Sequence, residues 1–242
     1  MKQHDILQSE LERLKEGPDI LGVMLIGSFA GGYATEYSDL DIYVLCGRDG
    51  FENDWIDGVL VERTFSTPDS ARKKIAEVPM AAYRWQGAKI LHDPQGLLAG
   101  LAEEARQAYE AYTPTAEFKG YIARWLVSQE LKLNAAIEGG DTLKTGYLVS
   151  TGAWATLEAM WAVNGRPMPP TGTAYRLFRA LERVPCANWF EGLFEGAIEQ
   201  RAAHMRSVIA WALPILRGQP LRGTSSDGPR PPAPSTRRSL GD

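Results

Sequence analysis

The segment that most constrains this chain runs over residues 21–45, LGVMLIGSFAGGYATEYSDLDIYVL. An apolar run ends in Gly27-Ser28, a connection carrying Gly31 and Gly32 follows, and Ser38-Asp39-Leu40-Asp41 leads into a second apolar run. This pattern predicts strand, tight turn, short helix or loop, and strand again. Residues two apart on a strand point to one face, so Asp39 and Asp41 lie side by side while Leu40, Ile42 and Val44 face the opposite way. Two like charges held that close are unfavourable unless a cation sits between them. A hard divalent ion such as Mg²⁺, which prefers oxygen ligands, meets that need.

Gly27 and Ser28 supply the complementary half. A strand that ends in Gly-Ser and opens a helix presents free backbone N–H groups and a hydroxyl, which suit an anionic phosphate. Glycine lets the backbone approach closely where a Cβ would obstruct. Metal-binding carboxylates beside a phosphate cradle point to nucleotidyl or phosphoryl transfer. A lone Asp-x-Asp is weak, because surface strands often carry alternating acids, and a lone Gly-Ser is weaker. Both in order, bracketed by apolar strands, form a specific signal.

Gly27-Ser28, a ten-residue gap and then Asp39-x-Asp41 resembles the DNA polymerase β-like nucleotidyltransferase superfamily. Gly32 falls where many members carry a glycine, and SDLDIYVL is similar to the family's metal-binding strand. The motif covers about the first 65 residues. The whole chain resembles the antibiotic (aminoglycoside-type) nucleotidyltransferases, which join this domain to a C-terminal helical domain. The resemblance implies an α+β fold: a mixed-sheet nucleotidyltransferase domain over 1–94, a helical substrate-binding bundle over 95–216, and a tail. It also implies ATP or another nucleoside triphosphate as co-substrate, two Mg²⁺, a hydroxylated small-molecule acceptor, and in some relatives a site completed by a second subunit.

In that superfamily a third carboxylate comes from the neighbouring strand. The run 59–66, VLVERTFS, reads as a strand and holds one acid, Glu62. Its functional reading is metal ligand or general base; its bland reading is a solvent-facing residue paired with Arg63 or a lysine. Asp54 and Asp57 lie in 47–57, a polar loop or hairpin end, and are expected to be solvated. For the acceptor's proton, Glu117, Glu130, Glu138 and Glu158 are further candidates. A helical-domain cation should reach the triphosphate; Lys132 and Lys144 are candidates, against the bland reading of a solvated helix face, and Tyr147 can stack a base. His92 reads as a strand terminator, and Tyr83 and Trp85 as partly buried aromatics.

The rest follows from periodicity and caps. Residues 2–16 carry Ile6, Leu7, Leu11 and Leu14 at helical spacing, stopped by Gly17-Pro18. Thr67-Pro68-Asp69 opens another helix, and 89–91 reads as a short last strand. From Leu97 the period is helical, with helices expected near 95–111, 116–138, 142–164, 173–183 and 187–216. Short links between them suit an antiparallel bundle, with Trp125, Trp154, Trp161 and Trp211 in its core. The tail, 217–242, is rich in Gly, Pro and Ser and is expected to be disordered.

Composition sets the partners. The net charge is −4, and the tail's five Arg and two Asp leave the body at −7. An acidic body argues against nucleic acid as the main partner and is compatible with a cationic acceptor. No apolar run approaches the ~20 residues that span a bilayer, and the amphipathic N-terminus is not a signal peptide. Two cysteines far apart, Cys46 and Cys186, suit a reducing cytoplasm. Two other readings stay open: a transferase acting on a protein or RNA, as in antitoxin-like members, and a non-catalytic nucleotide-binding relative.

Overall fold

The computed structural model describes residues 2–219; most of the tail lies outside the described residues. A five-stranded mixed sheet carries the N-terminal half. Its strands are β1 (Ile20–Leu25), β2 (Leu40–Cys46), β3 (Gly50–Ile56), β4 (Val59–Ser66) and β5 (Lys89–His92), in the order β3-β4-β2-β1-β5. Only β2 and β4 run parallel; the other neighbours are antiparallel.

The alternation of β2 and β4 builds two faces. Leu40, Ile42 and Val44 join Val61 and Phe65 beneath helix α1 (Lys2–Lys15), whose Ile6, Leu7, Leu11 and Leu14 fill that layer. On the opposite face Tyr43 and Leu45 meet Ala71 and Ile75 of α3 (Pro68–Glu77). Thr67 caps α3, its Oγ1 accepting from the Ser70 N–H at 3.1 Å. Leu98, Leu101 and Ala105 of α5 (Leu97–Ala111) pack on this same face. The change of period at Leu97 would by itself group that helix with the helical half, yet its apolar stripe is buried against the sheet.

One polar network joins the first layer. Arg63 is only 2% exposed; its Nε donates to Glu10 Oε2 and its Nη1 to Asp54 Oδ2, both at 2.6 Å. Asp54 is solvent-exposed as expected, its side chain 62% exposed, while one of its oxygens accepts from this buried guanidinium. Asp54 lies on β3, inside the stretch 47–57 whose polar composition reads as a loop or hairpin end; β3 and β4 form that hairpin. β3 is an exposed edge strand with no apolar alternation, and only its pairing with β4 defines it. Asp57 and Gly58, at φ 50 and 79, form the two-residue turn that joins them.

The second half is helical. α6 (Ala116–Glu138), α7 (Thr142–Val163) and α10 (Ile198–Leu216) bury one shared core around Leu126, Leu133, Val149, Met160, Trp161 and Ile209. Thr115 and Asp141 cap the first two. Between α7 and α10 lie α8 (Thr171–Leu177), a 3-10 turn over Phe178–Ala180, and the single-turn α9 (Glu191–Phe194). The continuous helix expected over 187–216 is therefore two. Glu195 is extended, at φ −104 and ψ 149, and α10 restarts where Gln200 Oε1 accepts from the Ala197 N–H. Trp161 is buried and Trp211 packs against the core, whereas Trp125 and Trp154, expected inside, are 49% and 38% exposed. No helix among the described residues is long and apolar enough to cross a membrane.

Candidate active site

The parallel pairing of β2 with β4 sets Asp41 directly opposite Glu62. Asp39 sits just ahead of β2, and one carboxylate oxygen from each of the three lies within 4.8 Å of the others. All three are half-buried. Arg63 points to the other face toward Glu10, so it does not neutralise Glu62.

The Gly-Ser turn is locked onto this trio. The Ile26 N–H donates to the Asp41 carbonyl at 3.0 Å, so the turn begins where β2 enters the site. Gly27 has φ +70, and a Cβ there would collide with Asp41 Oδ2. This position needs glycine twice over, for its backbone conformation and for the approach of the carboxylate. Ser28 opens the short helix α2 (Gly27–Ala30). Its Oγ is buried and has no hydrogen-bond partner, an unmet need that an anionic ligand oxygen would satisfy.

The electrostatics of the trio call for a cation. Burial, then the Asp39 and Glu62 carboxylates, push the Asp41 carboxyl up to about 6, with Arg84 pulling the other way. Three convergent oxygen donors of this kind fit a hard divalent metal.

A cavity of about 700 Å³ opens beside Gly27 and Asp41. Its walls come from the sheet half and from α8, with three cations, Lys74, Arg84 and Arg176, and an apolar side of Val78, Met80, Tyr83 and Leu177. Arg84 belongs to α4 (Ala82–Trp85). Arg176 lies 3.3 Å from the centre of the Tyr33 ring, which joins α8 to the loop after the Gly-Ser turn. Tyr83 is buried, and its hydroxyl donates to the Pro167 carbonyl at 2.8 Å.

The structure therefore gathers Gly27, Ser28, Asp39, Asp41 and Glu62 in one place. Lys132 and Lys144 are exposed on α6 and α7, and neither lines this cavity; nor do Glu117, Glu130, Glu138, Glu158 or Tyr147. The lining cations were missed by sequence reasoning. Arg84 left a faint trace: a basic residue between two aromatics, Tyr83 and Trp85, that are both buried is forced outward. Arg176 left none, because only tertiary packing brings α8 to the cleft.

The chain matches no protein-family profile and no curated protein. Among solved structures it is similar to a nucleotidyltransferase-like protein from Exiguobacterium sibiricum 255-15, at 12% identity and a TM-score of 0.49, over 87% of this chain and 75% of that one.

Proposed function

We propose that this protein is a metal-dependent nucleotidyltransferase that moves a nucleoside monophosphate, AMP from ATP in the simplest case, to a hydroxyl of a small molecule and releases pyrophosphate. The observation that carries the proposal is the convergence of Asp39, Asp41 and Glu62 within 4.8 Å beside a glycine that admits Asp41 and a serine hydroxyl left without a partner. The sequence resemblance and this geometry point the same way.

Asp39, Asp41 and Glu62 would hold one or two Mg²⁺, which would supply charge neutralisation at the phosphoryl oxygens. Lys74, Arg84 and Arg176 hold the triphosphate from the cavity walls, in place of Lys132 and Lys144. Ser28 Oγ donates to a phosphate oxygen. The acceptor hydroxyl attacks the α-phosphorus, the bond to the bridging oxygen breaks, and pyrophosphate leaves. The acceptor's proton goes to Glu62, which stands opposite Asp41 across β2 and β4 and belongs to the acidic trio.

The acceptor is a hydroxylated small molecule. The resemblance suggests an aminoglycoside-type antibiotic, a cationic acceptor with which the acidic body of the chain is compatible. The free thiols of Cys46 and Cys186 are compatible with a cytoplasmic location. The test is pyrophosphate release from Mg-ATP across a panel of aminoglycosides, lincosamides and neutral polyols. Release that depends on one acceptor class, and is absent in Asp39→Asn/Asp41→Asn protein, supports the reading. Release that persists in the double variant overturns it.

A further inference from the structure

α8 separates two cavities. Pro170, Thr173, Arg176 and Leu177 line the cleft beside Asp41. Thr171, Ala174, Tyr175 and Phe178, at helical spacing on the other face, line a second cavity of about 440 Å³ within the helical half. Stacked Phe178 and Phe190 rings, 4.1 Å apart, form part of its wall. Trp154, Tyr175 and Phe194 add exposed aromatic surface.

Two carboxylates, Glu191 and Glu195, share this cavity with one guanidinium, that of Arg179. Arg179 lies 4.8 Å from the centre of the Phe178 ring and donates to Glu191 Oε1 at 3.1 Å. The other oxygen, Glu191 Oε2, is buried and accepts no hydrogen bond. A carboxylate oxygen buried without a donor is costly, and the faces of aromatic rings attract cations. Arg179 shows within this chain how a cation sits between ring and carboxylate, and it leaves half of the acceptor capacity unused.

We infer that this second cavity binds an organic cation: a protonated amine carried on an apolar or aromatic body, with its ammonium beside the Glu191 and Glu195 carboxylates and its body among Tyr175, Phe178, Phe190 and Phe194. The size is that of a small-molecule site rather than of a protein interface. The excess of carboxylate over guanidinium selects positive charge. Because α8 also presents Arg176 to the cleft, an occupant here lies against the helix that lines the active site. The inference does not rest on the proposed nucleotide chemistry.

The test titrates the full chain with 2-phenylethylamine, protonated at pH 7, and with its neutral counterpart 2-phenylethanol. Binding is read by calorimetry and amide NMR in EDTA without nucleotide. The amine should bind saturably with a Kd of about 1 mM or tighter, the alcohol at least about tenfold more weakly. Glu191→Gln should weaken the amine about tenfold. Tyr175→Ala, on an exposed ring, should weaken it several-fold with the melting temperature kept, so the inference stays testable if the first variant folds poorly. Equal affinity for the alcohol, no saturable amine binding, or an unaltered affinity in Glu191→Gln would each overturn it. Self-association of the free protein that Phe194→Ala abolishes, without amine binding, would assign this face to a second copy and overturn it too.

Discussion

Removing the charge of Asp41 should stabilise the metal-free protein while destroying its response to metal. Burial and the neighbouring carboxylates push the Asp41 carboxyl from 3.8 to about 6, so the folded chain holds that proton more tightly than the unfolded one does. The penalty for ionising it is absent below the unfolded pKa, grows as the pH rises, and is complete above about 6. A rise of that size corresponds to an upper bound of about 3 kcal/mol at ~1.36 kcal/mol per unit. Asp41 is only half-buried, and solvent screening reduces this to about 1–1.5 kcal/mol. For a chain of this length, that is a gain of about 2–6 °C in melting temperature. Calorimetric scans of Asp41→Asn and wild type in EDTA should show the gain at pH 8 and its disappearance near pH 4. Added Mg²⁺ should raise the wild type and leave the variant unmoved, narrowing or reversing the order. A variant that melts at or below the wild type in EDTA at pH 8, or a gain independent of pH, would refute the reasoning.

Gly27→Ala places a Cβ against Asp41 Oδ2 at φ +70; it should cost about 1–3 kcal/mol of stability and lower kcat about 100-fold or more, read by calorimetry and turnover. Arg63→Ala leaves Glu10, 6% exposed, with Arg13 as its remaining partner; it should destabilise by about 3 kcal/mol, and Arg63→Met/Glu10→Met should recover most of that in urea titrations. Burial raises the Glu10 carboxyl, but bonds to Arg13 and Arg63 outweigh it and hold the group below its ordinary value. The stability it contributes is present above the unfolded pKa and is lost as the pH falls through the lowered one; an acid titration of Glu10→Gln should lack that loss. Arg84→Gln removes a cation that lines the cleft and should weaken triphosphate binding about tenfold, with binding of the bare divalent ion to the trio largely kept, both measured by calorimetry.

The centre of the site was legible because it is local. Gly27, Ser28, Asp39 and Asp41 lie within fifteen consecutive residues, and strand alternation puts the two aspartates on one face. Glu62 was reachable because the resemblance implies a third carboxylate on the strand beside Asp39-x-Asp41, and 59–66 reads as a strand with one acid. β3 was hidden: its exposed side chains carry no alternation, and the Asp57-Gly58 turn was its one sequence mark. The lining cations and the packing of α5 on the sheet depend on contacts between distant elements, which periodicity does not report. The tryptophans failed for the opposite reason. An apolar stripe on α6 or α7 is wider than the core it meets, so Trp125 and Trp154 stay exposed while Trp161 is enclosed.

The most direct measurement follows the label. The protein, Mg²⁺ and the acceptor class found by the pyrophosphate panel would be incubated with ATP labelled at the α- or the γ-phosphate. The account predicts label in the acceptor product from the α-position only, with labelled pyrophosphate from the γ-position and no transfer by the Asp39→Asn/Asp41→Asn protein. Label reaching the acceptor from the γ-phosphate would make the protein a phosphotransferase and contradict the account.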